Sequence, residues 1–271
     1  MYLCDTHSHT KLSPDSEAEL LDTARAAIAA GLQEFCVTDH CDLLDLEGNP
    51  CRFFDWPAAK GQYRAVKGAL GDRLTLRLGL ELGSAPYDPA VARAILAQGR
   101  EELDFVLGSL HNWIGMEGGI DLGFSDYHGN EALARRAVEH SLEQTWALVT
   151  QYPDCYDSLA HIIYPLRYIR RDGIDLSIAD YEEQVRAIFT EVAKTGHALE
   201  VNVRRGQDID PWAPLLRWFK ECGGRLVTVG ADAHQPQDVA KGIPQALELV
   251  KAAGFDCVAT YEHRRPVLHR L

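Results

Sequence analysis

The sequence predicts one α/β domain whose parallel strands close into a barrel, and three observations predict it. Short apolar, strand-like runs alternate with stretches of helical period along almost the whole chain. His, Asp or Glu falls at the C-terminal end of strand after strand, the end at which barrels of this kind gather their functional groups. A chain of 271 residues that is 46% hydrophobic is long enough to bury one substantial core, and it shows no internal repeat, low-complexity tract or linker that would divide it.

The elements follow in order. Tyr2 to His9 reads as a first strand ending on His7 and His9, two apart and therefore on one face of an extended chain. Ser16 and Glu19 read as a capping box for a helix with apolar residues at Leu20, Leu21, Ala24, Ala27 and Ile28, which Gly31 closes. Strand two is Glu34 to His40; Cys41 to Asp55 is an irregular loop, followed by a helix from about Pro57 to Leu70. Leu74 to Glu81 is strand three, Pro89 to Glu102 a helix, and Asp104 to His111 strand four. A Gly-rich loop from Gly115 to Gly129 precedes a helix from Glu131 to Gln151 and strand five at Asp157 to His161. A helix from Ile178 to Lys194, ended by Gly196, leads to strand six at Ala198 to Asn202, and a helix from Trp212 to Cys222 to strand seven at residues 225–230. Strand seven runs on into Asp232-Ala233-His234, where Asp and His are again two apart. A helix from Val239 to Ala253 and a short eighth segment, Cys257 to Thr260, complete the chain. Strands separated by helices of ten or more residues imply parallel βαβ units, and seven or eight of them close most naturally into a barrel; an open doubly wound sheet is the alternative.

Composition narrows the function. A formal charge of −13 disfavours a protein that tracks nucleic acid, which needs a broad basic face, but leaves room for one phosphate in a cation-lined pocket. The seven cysteines are scattered without a CxxC pair and read as reduced, mostly buried thiols. No apolar run approaches the ~18 residues of a membrane span and no leader pattern opens the chain, so a soluble, cytoplasmic protein is expected.

Taken singly, the strand-end residues have ordinary explanations. His111 alone could be a hydrogen-bonded loop residue, Glu81 a strand-end ion pair, and Asp15 or Asp39 a helix cap. Six of the eleven histidines (His7, His9, His40, His111, His161, His234) at one topological position point instead to metal. Imidazole and carboxylate without thiolate suit zinc, iron or manganese, and the ligands are too many for one ion, so two or three are implied. Asp15 joins the set because Ser16 already serves as the cap.

The combination of His7-x-His9, Asp15, Thr38-Asp39-His40, Gly79-Leu80-Glu81, Gly108-Ser109-Leu110-His111, Ala160-His161 and Asp232-Ala233-His234 resembles the polymerase and histidinol phosphatase (PHP) superfamily. Partly through Leu199-Glu-Val-Asn202, it is most similar to the single-domain histidinol-phosphate phosphatases. That resemblance implies a distorted (β/α)7 barrel with a trinuclear metal centre at the C-terminal mouth. His7, His9, Glu81 and Asp232 would hold the first ion; Glu81 would bridge to a second on His111 and His161; Asp15, His40 and His234 would hold a third. It also implies hydrolysis of a small phosphomonoester, first among them L-histidinol phosphate in histidine biosynthesis. Val203-Arg204-Arg205-Gly206 departs from the small, polar continuation the family would carry there.

The chemistry implied is attack on phosphorus by a hydroxide shared between two ions about 3.5–4 Å apart, with its pKa lowered towards ~7. Arg204, Arg205, Arg167 and Arg264 are candidates to bind phosphate. Catalytic roles fall to Glu81 as bridge and to Asp232 or His234 as proton donors to the leaving alkoxide, with a metal-bound water as the alternative. Carboxylates such as Asp42 or Glu117 near the mouth would suit a cationic amine. His128, His140, His197, His263 and His269 lie off the pattern and read as structural or exposed. A phosphoesterase acting on nucleotides or nucleic acid, and a metal-poor binding module, remain alternatives. A Gly-x-Ser-x-Gly elbow is absent, and Ser109-Leu-His111 stands where amidohydrolase barrels carry a metal-bridging lysine. Nothing in the sequence indicates an oligomeric state.

Overall fold

The computed structural model describes residues 1–271. The chain runs β1 (Cys4–Asp5), α1 (Leu20–Ala29), β2 (Glu34–Val37), β3 (His40–Asp42), α2 (Trp56–Leu70), β4 (Thr75–Gly83), α3 (Pro89–Gly99), β5 (Phe105–Ser109), α4 (Glu131–Gln151) and β6 (Ser158–Leu159). It continues through α5 (Tyr164–Arg171), α6 (Glu182–Thr195), β7 (Ala198–Asn202), α7 (Trp212–Glu221), β8 (Leu226–Gly230), α8 (Ile243–Ala252), β9 (Cys257–Glu262) and β10 (Arg265–Arg270). All residues of β2, β5 and β7 are buried, as strands covered on both faces must be, and so they read as mainly apolar runs rather than alternating ones, interrupted by Glu34, Ser109, Glu200 and Asn202.

The sheet is parallel, in the order β1-β2-β4-β5-β6-β7-β8, with β3 also pairing with β4. β2 and β3 are one strand position interrupted at Thr38 and Asp39, where Thr38 N–H turns to Ser8 O (2.8 Å) while Asp39 O still accepts Glu81 N–H (3.1 Å). Beyond β1 the chain reaches across to the far edge: Thr6 N–H donates to Val229 O (2.9 Å), Asp232 N–H to His7 O (3.0 Å) and His9 N–H to Ala233 O (2.8 Å). These bonds bring the seven strand positions to a nearly closed barrel. Side-chain caps start α2, α3 and α4, where Asp55, Asp88 and Asn130 accept from Ala58, Val91 and Leu133 N–H, each worth roughly 0.5–2 kcal/mol.

Four expectations need correction. The capping box does not form: Ser16 Oγ donates to His234 O (2.8 Å), Glu19 pairs with Lys11 (2.6 Å), and α1 begins only at Leu20. Ser16 thus ties the first loop to the last motif. The eighth segment is no barrel strand, because β9 turns back antiparallel onto β10. Its two-residue turn places both His263 (φ 49°) and Arg264 (φ 61°) in the left-handed region without glycine, so the usual hairpin signal is missing. Arg264 therefore sits at the N-terminal end of the strands, its guanidinium on Asp157 (3.0 Å) and its N–H on Asp104 O (2.8 Å), away from any phosphate at the mouth. Finally, α8 starts at Ile243 rather than Val239, since Ala240 (φ 63°) and Gly242 (φ 82°) form a left-handed turn before it. The helix α5 lies in a stretch whose sequence predicts none.

Candidate metal centre

All nine ligand-type side chains meet at the C-terminal mouth. His7 and His9 follow β1, His40 opens β3, Glu81 lies in β4, His111 and His161 follow β5 and β6, and Asp232 and His234 follow β8. Glu81 is the fully buried hub: Oε2 lies 3.2 Å from His7 Nε2, 3.5 Å from His9 Nε2 and 3.0 Å from His40 Nδ1. Its Oε1 lies 2.7 Å from His161 Nε2 and 3.2 Å from His111 Nε2. Asp232 Oδ1 stands 3.6 and 3.3 Å from His7 and His9 Nε2. Asp15 closes the open side, 2.9 Å from His234 Nε2 and 3.7 Å from His40 Nε2. The rings of His40 and His234 each stack against His9, at 4.2 and 4.1 Å, and lie 5.8 Å from one another.

The hydrogen-bond partners of the rings decide whether this set suits a cation. His7 Nδ1 faces Glu200 Oε1 at 2.6 Å and His111 Nδ1 faces Asp42 Oδ1 at 2.7 Å, which fixes the proton on Nδ1 and leaves Nε2 bare. Yet His7 Nε2 looks at His9 Nε2 across 3.1 Å, and His111 Nε2 at His161 Nε2 across 3.4 Å, with carboxylate oxygens alongside. Where His9 and His161 also present bare Nε2 atoms, buried lone pairs face one another and cost several kcal/mol unless a cation lies between them. The donor set fits divalent ions. Burial opposes the charge on Glu81, but the positive charge that His7, His40 and His111 carry when protonated in the absence of ions holds its carboxyl well below the usual range. Burial likewise opposes the charge on Asp232, which His7, His9, His234 and Arg167 outweigh.

The local backbone explains how the last motif gets there. Asp232 lies beyond β8 with a left-handed φ of 57°, so it is this turn rather than strand alternation that aims its carboxylate inward. Asp5 anchors the turn: buried, with its pKa pushed up to about 6 by desolvation, it accepts from Ala231, Ala240 and His7 N–H. Gly230 sets a further constraint, because a Cβ there would meet His7 Cβ at 2.4 Å and Glu200 Oε1 at 2.5 Å. Gly230→Ala is expected to displace His7, lower stability by about 1–3 kcal/mol and reduce bound metal. Thermal unfolding together with metal content of the purified variant checks this; wild-type values for both would show that the His7–Glu200 pair can yield.

The mouth cavity, ≈240 Å³, is walled by Arg167, Arg204 and Arg205 on the side of β6 and β7, and by Asp42 and Asp121 on the side of β3 and β5. Arg167, on α5, is buried and already engaged, with Nε on Asp208 (2.9 Å), Nη2 on Asn202 (2.7 Å) and Nη1 3.4 Å from Asp232. Arg204 and Arg205 hold left-handed φ values of 40° and 58°, and Arg205 Nε is buried with no hydrogen-bond partner. Glu117 is exposed and does not line the cavity. Among the off-pattern histidines, His140 is buried and accepts Ile114 N–H (3.0 Å), His197 and His269 stack on Tyr156 and Tyr2, His263 lies in the hairpin turn, and His128 is exposed.

Several supporting groups escaped the sequence reading as supports. Glu200 and Asn202 had a signal, polar residues two apart inside an apolar strand; both face His7. Asp121, which accepts from Tyr164 Oη (3.0 Å), had none, being one polar residue in a polar loop.

A nearly closed parallel barrel with a His/Asp/Glu cluster at its mouth defines a metal-dependent hydrolase. The PHP domain pattern matches residues 5–204, and the chain belongs to the PHP domain family. It is 28% identical over 268 residues to the histidinol-phosphatase of Lactococcus lactis subsp. lactis, covering 95% of this chain and 93% of that one. It is also 28% identical over 271 residues to a probable histidinol-phosphatase of Deinococcus radiodurans, covering 97% and 98%. The crystal structure of the Lactococcus lactis histidinol phosphate phosphatase, complexed with Zn, L-histidinol and phosphate, matches with a TM-score of 0.84 at 26% identity and covers 98% of each chain. No helix is long and apolar enough to cross a membrane.

Proposed function

We propose that this chain hydrolyses L-histidinol phosphate to L-histidinol and phosphate. The observation that carries the reading is the mouth itself: nine ligand-type side chains converge there beside three arginines, in a chain alike over 98% of its length to a solved histidinol phosphate phosphatase. His7, His9, Glu81 and Asp232 would hold one ion, Glu81, His111 and His161 a second, and Asp15, His40 and His234 a third. When bound, ions such as zinc, iron or manganese supply Lewis acidity and lower the pKa of water towards ~7.

The protein's own groups do the rest. Arg204 and Arg205 neutralise the non-bridging phosphate oxygens, whereas Arg167, charge-compensated by Asp208, orients Asp232. Asp232, held ionised, has no proton for the leaving alkoxide, which takes one from water at the mouth. Asp42 and Asp121 face the arginines across the cavity and suit the cationic amine of the leaving group. A substrate panel tests the reading: kcat/KM for L-histidinol phosphate should exceed that for p-nitrophenyl phosphate by at least ~100-fold, about 2.7 kcal/mol of differential transition-state binding. Equal rates, or a preference for nucleotides or oligonucleotides, would overturn it.

A further inference from the structure

We infer that Asp39, acting through the Ser13 hydroxyl, sets the tautomer of His9 and so keeps its Nε2 free to bind metal. The inference rests on reading the mouth as a metal centre. His7 and His111 each have a carboxylate directly on Nδ1. His9 does not; its Nδ1 meets Ser13 Oγ at 3.0 Å, and a hydroxyl can either donate or accept.

The surroundings of Ser13 remove that ambiguity. Ser13 Oγ accepts His40 N–H at 3.0 Å, which occupies one lone pair. It also lies 2.9 Å from Asp39 Oδ1. That carboxylate is already surrounded by donors: Thr10 N–H reaches Oδ1 at 2.6 Å and Thr10 Oγ1 reaches Oδ2 at 2.9 Å. The Thr10 hydroxyl must donate there, since it accepts from Gln62 Nε2 (3.1 Å) and Leu12 N–H (3.3 Å). Both oxygens of Asp39 act as acceptors in this loop, and the single proton of Ser13 goes to Oδ1. The remaining lone pair of Ser13 can be filled only by a proton on His9 Nδ1. His9 Nε2 is then bare, 3.3 Å from Asp232 Oδ1 and 3.5 Å from Glu81 Oε2. Asp39 is thus a positioning residue, one hydroxyl removed from the ligand it controls, and the loop from Thr10 to Ser13 folds around it.

The test uses full-length chain with zinc as the probe. Ser13→Ala and Asp39→Ala both remove the constraint. Asp39→Asn keeps it, because Thr10 N–H obliges the amide oxygen to take the Oδ1 position, where it still accepts from Ser13; its NH2 then meets the Thr10 hydroxyl, which lowers stability without releasing Ser13. Competition with a chromogenic chelator should show zinc bound ~10–100-fold more weakly in the two alanine variants, and near wild-type strength in Asp39→Asn. Nitrogen NMR of labelled histidine in metal-free protein gives a readout independent of substrate and turnover: His9 should carry its proton on Nδ1 in wild type and Asp39→Asn, and lose that preference in Ser13→Ala. Should Asp39→Ala fail to fold by circular dichroism, Ser13→Ala decides. A Ser13→Ala protein with His9 still wholly protonated at Nδ1 and unchanged zinc affinity overturns the relay, as does an Asp39→Asn protein with the proton moved to Nε2. A failure of the substrate panel leaves this result untouched.

Discussion

Glu81→Gln is expected to reduce kcat/KM on any phosphomonoester by roughly 10³-fold or more, about 4 kcal/mol or above in transition-state stabilisation. The substitution keeps volume and shape, so the loss isolates charge. Glu81 is the one group that reaches both halves of the cluster, with Oε2 towards His7, His9 and His40 and Oε1 towards His111 and His161. An amide can present only one oxygen, and its NH2 would point at bare imidazole nitrogens on the other side. Steady-state kinetics paired with metal content checks this: activity and bound metal should fall together while the circular dichroism spectrum stays native. A Gln variant with wild-type turnover would mean that Glu81 is a buried hydrogen-bonding group and not a bridge.

Removing the ions should have a comparable effect without touching the chain. Dialysis against a strong chelator is expected to bring phosphatase activity to background and to lower Tm by roughly 5–10 °C, the size set by losing ligands held at ~100 times their Kd. The unfolding shift has a structural source, because without cations the facing Nε2 atoms of His7 and His9, 3.1 Å apart, are left uncompensated. Adding back zinc, manganese or iron(II) should restore both. Activity surviving complete removal of metal would contradict a metal-dependent mechanism.

How much of this was legible in the sequence follows from the range over which each feature is determined. Helix α4 and strand β7 begin and end where their patterns do, Glu131–Gln151 and Ala198–Asn202, because burial on one helix face or throughout a strand writes itself into local periodicity. The nine mouth residues were legible for a related reason: strand ends are local, and closure of the barrel then brings them together. What failed was decided by partners far away in sequence. Ser16 looked like a cap but bonds to His234 O, 218 residues on. Arg264 looked like a phosphate ligand but answers to Asp157 and Asp104 under the barrel. The helix α5 is short, and three of its eight residues are arginine, Arg167, Arg170 and Arg171, so no apolar stripe announced it. Asp39, which taken singly reads as a helix cap, takes its meaning from Thr10 and Ser13, which a strand-by-strand reading does not pair with it.

The most direct test of the mouth as a multinuclear centre is its metal stoichiometry. Plasma emission analysis of active protein purified without chelator should give close to three divalent ions per chain, one for each of the groups centred on Asp232, on the Glu81–His161 pair and on Asp15. A value at or below one, with activity intact, would contradict it.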